Sequence, residues 1–251
     1  MKVKNILVSQ PKPTEFEKSP YSHLVNKYNL NIDFKKFIKI EGINSCEFRK
    51  HRINILDFTA VILTSRHAVD HFFRISKEMR VEIPDSMKYF CISESTAFYL
   101  QNYVQYRKRK IFYGKQNFAN LIGIIKKHGS ENFLLPCSEI YKLDIPKMLE
   151  ANNIKYKKAI IYRTLASDLS DIEIEGYDMI VFFSPSGVKS MIKNFPEFKQ
   201  NGSLIAGFGP TTAKAIKEAG LDLDIKAPSK VAPSMTLAIE QYIQKENKKK
   251  K

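Results

Sequence analysis

The 251-residue chain has no tryptophan, only three cysteines and only ten glycines. Cys46, Cys91 and Cys137 lie far apart and no Cys-x-x-Cys pair occurs, so neither a zinc ribbon nor a disulfide framework is suggested. No apolar run nears the ~20 residues that a membrane helix needs. The opening Met1-Lys-Val-Lys-Asn-Ile-Leu-Val-Ser-Gln10 is too short in apolar residues for a signal peptide and right for a first strand. The expectation is a cytoplasmic protein with no membrane partner. Acidic residues are also scarce: 26 Asp+Glu face 41 Lys+Arg, a net charge of +15. Part of the excess is a Lys-rich stretch, 245–251, expected as a flexible tail. The rest favours an anionic partner.

Several chemical signatures are missing as well. There is no Walker motif and no Gly-x-Ser-x-Gly. Gly207-Phe-Gly-Pro-Thr-Thr-Ala213 resembles a phosphate-gripping turn, but Thr212 stands where a dinucleotide fingerprint carries its third small residue. His67 and His71 have i, i+4 spacing without the Glu of H-E-x-x-H or a third ligand, and read as two surface histidines. Neither a cofactor nor a metal is expected. Tyr103-Val-Gln-Tyr-Arg-Lys-Arg-Lys110 interleaves aromatics with bases as an RNA-binding strip does. It equally suits a helix end, with cations beside the negative pole of the dipole.

What is present is alternation. Strand-length apolar runs (Ile6–Val8, Ala60–Leu63, Met179–Phe183, Leu204–Ala206 among them) are separated by stretches with apolar residues at i, i+3, i+4. That pattern predicts α/β architecture with parallel sheets. The halves also repeat. Ala60-Val-Ile-Leu-Thr-Ser-Arg-His-Ala-Val69 parallels Met179-Ile-Val-Phe-Phe-Ser-Pro-Ser-Gly-Val188, and Ile92-Ser-Glu-Ser-Thr-Ala97 parallels Phe208-Gly-Pro-Thr-Thr-Ala213. Ser65 and Ser184 stand 119 positions apart, Ser95 and Thr211 stand 116 apart, and Ile6–Pro11 loosely matches Leu134–Ser138. Two copies indicate a duplicated domain rather than a solenoid.

Hydroxyl residues and glycines gather where strands turn into helices, the side of an open α/β sheet where ligands bind. Ser65, Ser93, Ser95, Ser184, Ser186, Gly187, Thr211 and Thr212 form the candidate binding set. Each turn offers backbone N–H groups at a helix start and a hydroxyl for an anion, although Ser and Thr are also the preferred N-caps of any helix. Pattern alone leads to a two-domain α/β protein that binds an anion.

These residues resemble the uroporphyrinogen-III synthase family. The resemblance covers nearly the whole chain and is carried by Phe133-Leu-Leu-Pro-Cys-Ser138, Ile160-Ile-Tyr-Arg-Thr164, Val181-Phe-Phe-Ser-Pro-Ser-Gly-Val188, Gly207-Phe-Gly-Pro-Thr-Thr-Ala213 and Ala232-Pro-Ser-Met-Thr-Leu-Ala238, in that order. It implies two parallel-sheet α/β lobes, flavodoxin-like and internally duplicated, joined by a two-stranded connection with the active-site cleft between them. One lobe would hold 1–38 and 163–251, the other the inserted 39–162. It implies a cofactor-free, ring-closing lyase acting on the polycarboxylate hydroxymethylbilane, with inversion of ring D. Tyr162 matches the family tyrosine that assists hydroxyl departure. The eight binding residues match substrate-side turns, Ser93 and Ser95 more loosely. The resemblance further implies a monomer, with no nucleic-acid partner and transient contact with the preceding deaminase. Gln10 departs from the family's usual Thr-Arg-Pro turn, and Arg66-His67 from its Pro-containing turn. The alternatives are a non-catalytic two-lobe anion-binding protein and a basic nucleic-acid-binding protein.

Overall fold

A computed structural model describes residues 3–115, 117–139 and 144–248. The chain divides into two compact units, one formed by residues 1–39 and 165–251 and the other by 40–164. In chain order the first unit opens with β1 (Asn5–Val8), α1 (Pro20–Tyr28) and β2 (Asn31–Phe34). The chain enters the second unit along β3 (Ile38–Gly42). There follow α2 (Ser45–Lys50), β4 (Ala60–Leu63), α3 (Arg66–Glu78), β5 (Lys88–Cys91), α4 (Glu94–Leu100), β6 (Ile111–Tyr113), α5 (Phe118–Lys126), β7 (Phe133–Ser138) and α6 (Asp144–Ala151). It returns along β8 (Tyr156–Ala166) to β9 (Met179–Phe182), α7 (Pro185–Asn194), β10 (Leu204–Phe208), α8 (Pro210–Glu218), β11 (Ile225–Ala227) and α9 (Met235–Lys248). Helix α9 thus continues through Lys245 to Lys248, and the remainder of the expected tail, 249–251, lies outside the described residues.

Each unit is a sheet with helices on both faces, and the pairs β1–β2, β1–β9, β9–β10, β10–β11, β4–β5, β4–β7, β5–β6 and β7–β8 are all parallel. The central strands β4 and β9 are buried at all four positions, the pattern of a strand covered on two sides. Side chains alternate between layers. Val61 and Leu63 join one core with Phe72 and Ile75 of α3, while Ala60 and Ile62 join another with Leu121 of α5 and Leu149 of α6. In the first unit Met179 and Val181 face Leu24 and Ile239, while Ile180 and Phe182 face Met191 and Ile216. Each of these Leu, Ile or Phe side chains contributes about 1.5–3 kcal/mol by burial.

The two sheets share one spatial order, threaded differently. The five-stranded sheet runs β11-β10-β9-β1-β2, and the six-stranded one runs β3-β8-β7-β4-β5-β6. Read from the far edge, β6-β5-β4-β7-β8 superposes in order on β11-β10-β9-β1-β2, so the duplication is circularly permuted: β7 and β8 come last in one unit where β1 and β2 come first in the other. Only the first unit has the flavodoxin thread, 2-1-3-4-5; the second follows 3-2-1-4-5 before β3 is added. The chain order reverses between β1 and β9 in one sheet and between β7 and β4 in the other. Both pairs are parallel, and these are the switch points at which open α/β sheets bind ligands.

Candidate functional site

At the switch point of the second unit, β4 ends at Leu63 and Ser65 caps α3, its Oγ accepting from Ala68 N at 3.1 Å. The Ser65 hydroxyl also lies near enough to the Tyr162 phenol to influence its ionisation. Tyr162 sits on β8, and a register shift between Cys137 and Ser138 sets it opposite Ser138 at the end of β7. A bulge of this kind re-aims a side chain. Tyr162 is 9% exposed. Burial raises its phenol above the ordinary tyrosine range, and the nearby Ser65 hydroxyl pulls the other way by favouring the phenolate. At neutral pH the group is therefore a phenol with a partner ready for the anion it becomes on giving up its proton. Burial also pushes the neighbouring Cys137 thiol up to about 11, so it is no nucleophile at neutral pH.

His71 stacks on Tyr162 with ring centroids 5.1 Å apart and planes at 21°. His67, one turn earlier, is exposed and tilted at 6.4 Å. The reading of both as surface histidines thus fails for His71, which is half-buried. Because β8 runs beneath α3, the i, i+4 spacing aims both rings at one tyrosine instead of at a metal. Arg74 fixes the arrangement. Its Nε donates to His71 Nδ1 at 3.0 Å, its Nη2 donates to the carbonyls of Ile43 (2.8 Å) and Ile161 (3.1 Å), and its Nη1 pairs with Glu78. A Cβ on Gly42 would meet that guanidinium at 2.6 Å, so a larger residue there would push the Arg74 side chain aside. Arg163, next to Tyr162, is held by Glu47 and by Glu139 Oε2 at 3.3 Å.

The first unit carries a matching turn. Ser184 caps α7, accepting from Gly187 N at 3.1 Å, with Pro185 at the first helical position. Ser186 is half-buried and Gly187 buried. Ser9 follows β1 as Ser138 ends β7, and its Oγ would lie 3.6 Å from a Cβ on Gly187. Among the described residues, Ser9 Oγ and Ser138 Oγ are the buried side-chain polar atoms without a hydrogen-bond partner. Both stand towards the ends of corresponding strands, β1 and β7, one beside each switch point. Buried hydroxyls are ordinarily satisfied.

Gly209 caps α8 from a φ of +87° with no side chain to bond the first turn, a conformation that favours glycine. Pro210 has no N–H, so the Thr211 and Thr212 backbone donors are left at the helix start. Thr211 is exposed, whereas the Thr212 side chain is 1% exposed and joins the interior of the unit. Thr212 therefore presents its backbone and not its hydroxyl. Ser93 caps α4, its Oγ accepting from Thr96 N at 3.3 Å and lying 3.0 Å from the exposed Ser95 Oγ. Among the described residues no group of three or more His, Cys, Asp or Glu is placed to hold a metal ion.

A family model described as uroporphyrinogen-III synthase HemD matches residues 24–236. The chain belongs to the uroporphyrinogen-III synthase family. These are ring-closing lyases of tetrapyrrole biosynthesis. In fold the chain resembles a uroporphyrinogen-III synthetase from Helicobacter pylori, with 17% identity, a TM-score of 0.60, and coverage of 96% of this chain and 99% of that one. It also resembles a mutant uroporphyrinogen III synthase from Thermus thermophilus, with 11% identity, a TM-score of 0.57, and coverage of 98% and 99%. No curated protein matches.

For a uroporphyrinogen-III synthase family member, the motif-bearing turns were legible from sequence, and their supports were not. Sequence reading missed His71, Arg74, Ser9 and Ser138 as parts of these sites. The first two depend on a strand some ninety positions away. The serines looked like ordinary strand ends. The one usable signal was the loose match of Ile6–Pro11 with Leu134–Ser138, which pairs the two strand ends that carry Ser9 and Ser138.

Proposed function

We propose that this protein is a uroporphyrinogen-III synthase that closes hydroxymethylbilane with inversion of ring D, with Tyr162 as its acid. The observation that carries the reading is the buried Tyr162 phenol, beside Ser65 and stacked on His71. The phenol gives its proton to the departing hydroxyl, which leaves as water. The Ser65 hydroxyl steadies the phenolate, and the azafulvene so formed is attacked by the substituted carbon of the terminal pyrrole. The spiro intermediate reopens and recloses, and the proton lost on aromatisation restores the phenol. Little else is required of the protein except orientation, since holding reactive ends in place is itself a large share of such catalysis.

Substrate carboxylates are taken by the turns. In the first unit the Thr211 and Thr212 N–H groups, Ser184, Ser186 with Gly187, and the unpartnered Ser9 hydroxyl supply donors. In the second, Ser65, Ser138, Ser93 and Ser95 do so. The positive net charge raises local substrate concentration. The reading extends to a cytoplasmic monomer handed its substrate in transient contact with the preceding deaminase. Its three free thiols, two of them buried, suit a reducing compartment.

Expression in a bacterial strain whose own synthase has been deleted tests the proposal. Restored growth without added haem is expected. Continued dependence on haem, with the protein present and folded, would leave a non-catalytic anion-binding protein as the better reading.

A further inference from the structure

A cavity of about 660 Å³ lies in the second unit at the other end of α3 from Ser65 and Tyr162, where the loop after α3 and the segment before β6 flank the start of β5. Its volume is that of a site for a small organic molecule. One wall is aromatic. Phe73 and Tyr103 stack with centroids 4.7 Å apart and planes at 8°, and Tyr103 remains 42% exposed, leaving its outer face open. The Tyr103 hydroxyl donates to Asp70 Oδ1 at 2.7 Å, so the platform is held in place before anything binds.

The lining also includes Tyr89, only 5% exposed. Burial keeps this phenol protonated, so its hydroxyl can donate to a ligand in the cavity. The rim is basic. Lys77, Arg80 and Lys110 line the cavity with no ion-pair partner among the described residues, while Arg107 is neutralised by Asp85 at 3.1 Å across the two flanking segments. Glu82 is the one other acid in the lining. Three cations against one carboxylate, over an aromatic wall and a buried donor, select for an anion with a flat body.

We propose that this cavity is a second binding site, separate from the Tyr162 site, for an aromatic anion: a ring system stacked on Tyr103, its phosphate or carboxylate among Lys77, Arg80 and Lys110, and a polar ring substituent accepting from Tyr89. The basic Tyr103–Lys110 stretch, compatible in sequence with a helix end or an RNA strip, is on this reading one side of a small-molecule site.

The test uses 1-anilinonaphthalene-8-sulfonate as the aromatic anion, titrated by fluorescence against the full chain at low salt, with inorganic phosphate as a competitor lacking the ring. Saturable binding of one dye per chain is expected, together with weak competition by phosphate. Lys77→Glu/Arg80→Glu should weaken binding at least tenfold and Tyr89→Phe about threefold, each with unchanged type III isomer formation from hydroxymethylbilane. Unsaturable binding, or the same affinity in both variants, would overturn the proposal by placing the dye elsewhere. Should the double variant unfold, the near-isosteric Tyr89→Phe decides alone: unchanged affinity rejects the site.

Discussion

The His71 imidazole lies flat against the Tyr162 ring, 5.1 Å between centroids, while its Nδ1 accepts a hydrogen bond from Arg74 at 3.0 Å. An imidazole that accepts at Nδ1 is neutral, with its proton on Nε2. The tyrosine of the proposed reaction is thus backed by an uncharged ring that adds bulk and excludes water without lowering the phenol's pKa, as an imidazolium would.

Removing the phenolic hydroxyl should separate chemistry from folding. Tyr162→Phe keeps the packing with His71 and loses only the proton donor. Turnover of hydroxymethylbilane is expected to fall roughly 10²-fold, the low end for a positioned acid, with stability to urea changed by no more than about 1 kcal/mol. Full activity in this variant would end the acid role.

His71 makes stability depend on pH in a definite direction. Desolvation, then the Arg74 charge, lowers its pKa below the ordinary 6.5. Above pH 6.5 the ring is neutral folded and unfolded, and costs nothing. As pH falls through 6.5 the unfolded chain takes up a proton that the folded chain refuses, and stability drops until the lower folded pKa is passed. His71→Asn should flatten the urea midpoint between pH 7 and 5. An unchanged slope would show that His71 titrates as it does in water.

Ser9 and Ser138 should show a trade-off. An unpartnered buried hydroxyl costs about 1–3 kcal/mol, so Ser9→Ala or Ser138→Ala is expected to hold or raise the melting temperature, by about 2–4 °C per kcal/mol gained. If these hydroxyls meet substrate carboxylates, KM rises severalfold in the same proteins. A lowered melting temperature with unchanged KM would make them structural.

Arg74 should behave as a positioning residue. Arg74→Met removes charge-assisted bonds to two strand carbonyls, worth about 1.5–3 kcal/mol each. It also frees His71, so stability and kcat should fall together. Gly42→Ala, which displaces the guanidinium through a 2.6 Å clash, should reproduce the kcat loss in milder form. A normal kcat in both would detach Arg74 from Tyr162.

Local patterns were the legible part of the fold. Buried strands such as Ala60–Leu63 announce themselves as unbroken apolar runs, and Ser65 and Ser184 as caps before helical periodicity. β2 was missed because Asn31-Ile-Asp-Phe34 is an edge strand, exposed or half-buried throughout, with no apolar run to mark it. α2, six residues long, is too short to display a period. The permutation escaped notice because the strong repeats join only β4 and β5 to β9 and β10, and spatial order is not written in the chain. Tyr162 was readable by motif, but its neighbours His71 and Arg74 belong to it only through tertiary packing.

The central claim is that this chain directs ring closure with inversion. The most direct measurement generates hydroxymethylbilane in situ with a deaminase, adds the protein without metal or nucleotide, and separates the oxidised type I and type III isomers by chromatography. The account predicts type III product well above the blank without protein, and its loss in Tyr162→Phe at matched protein concentration. Type I alone, at the spontaneous rate, would contradict it.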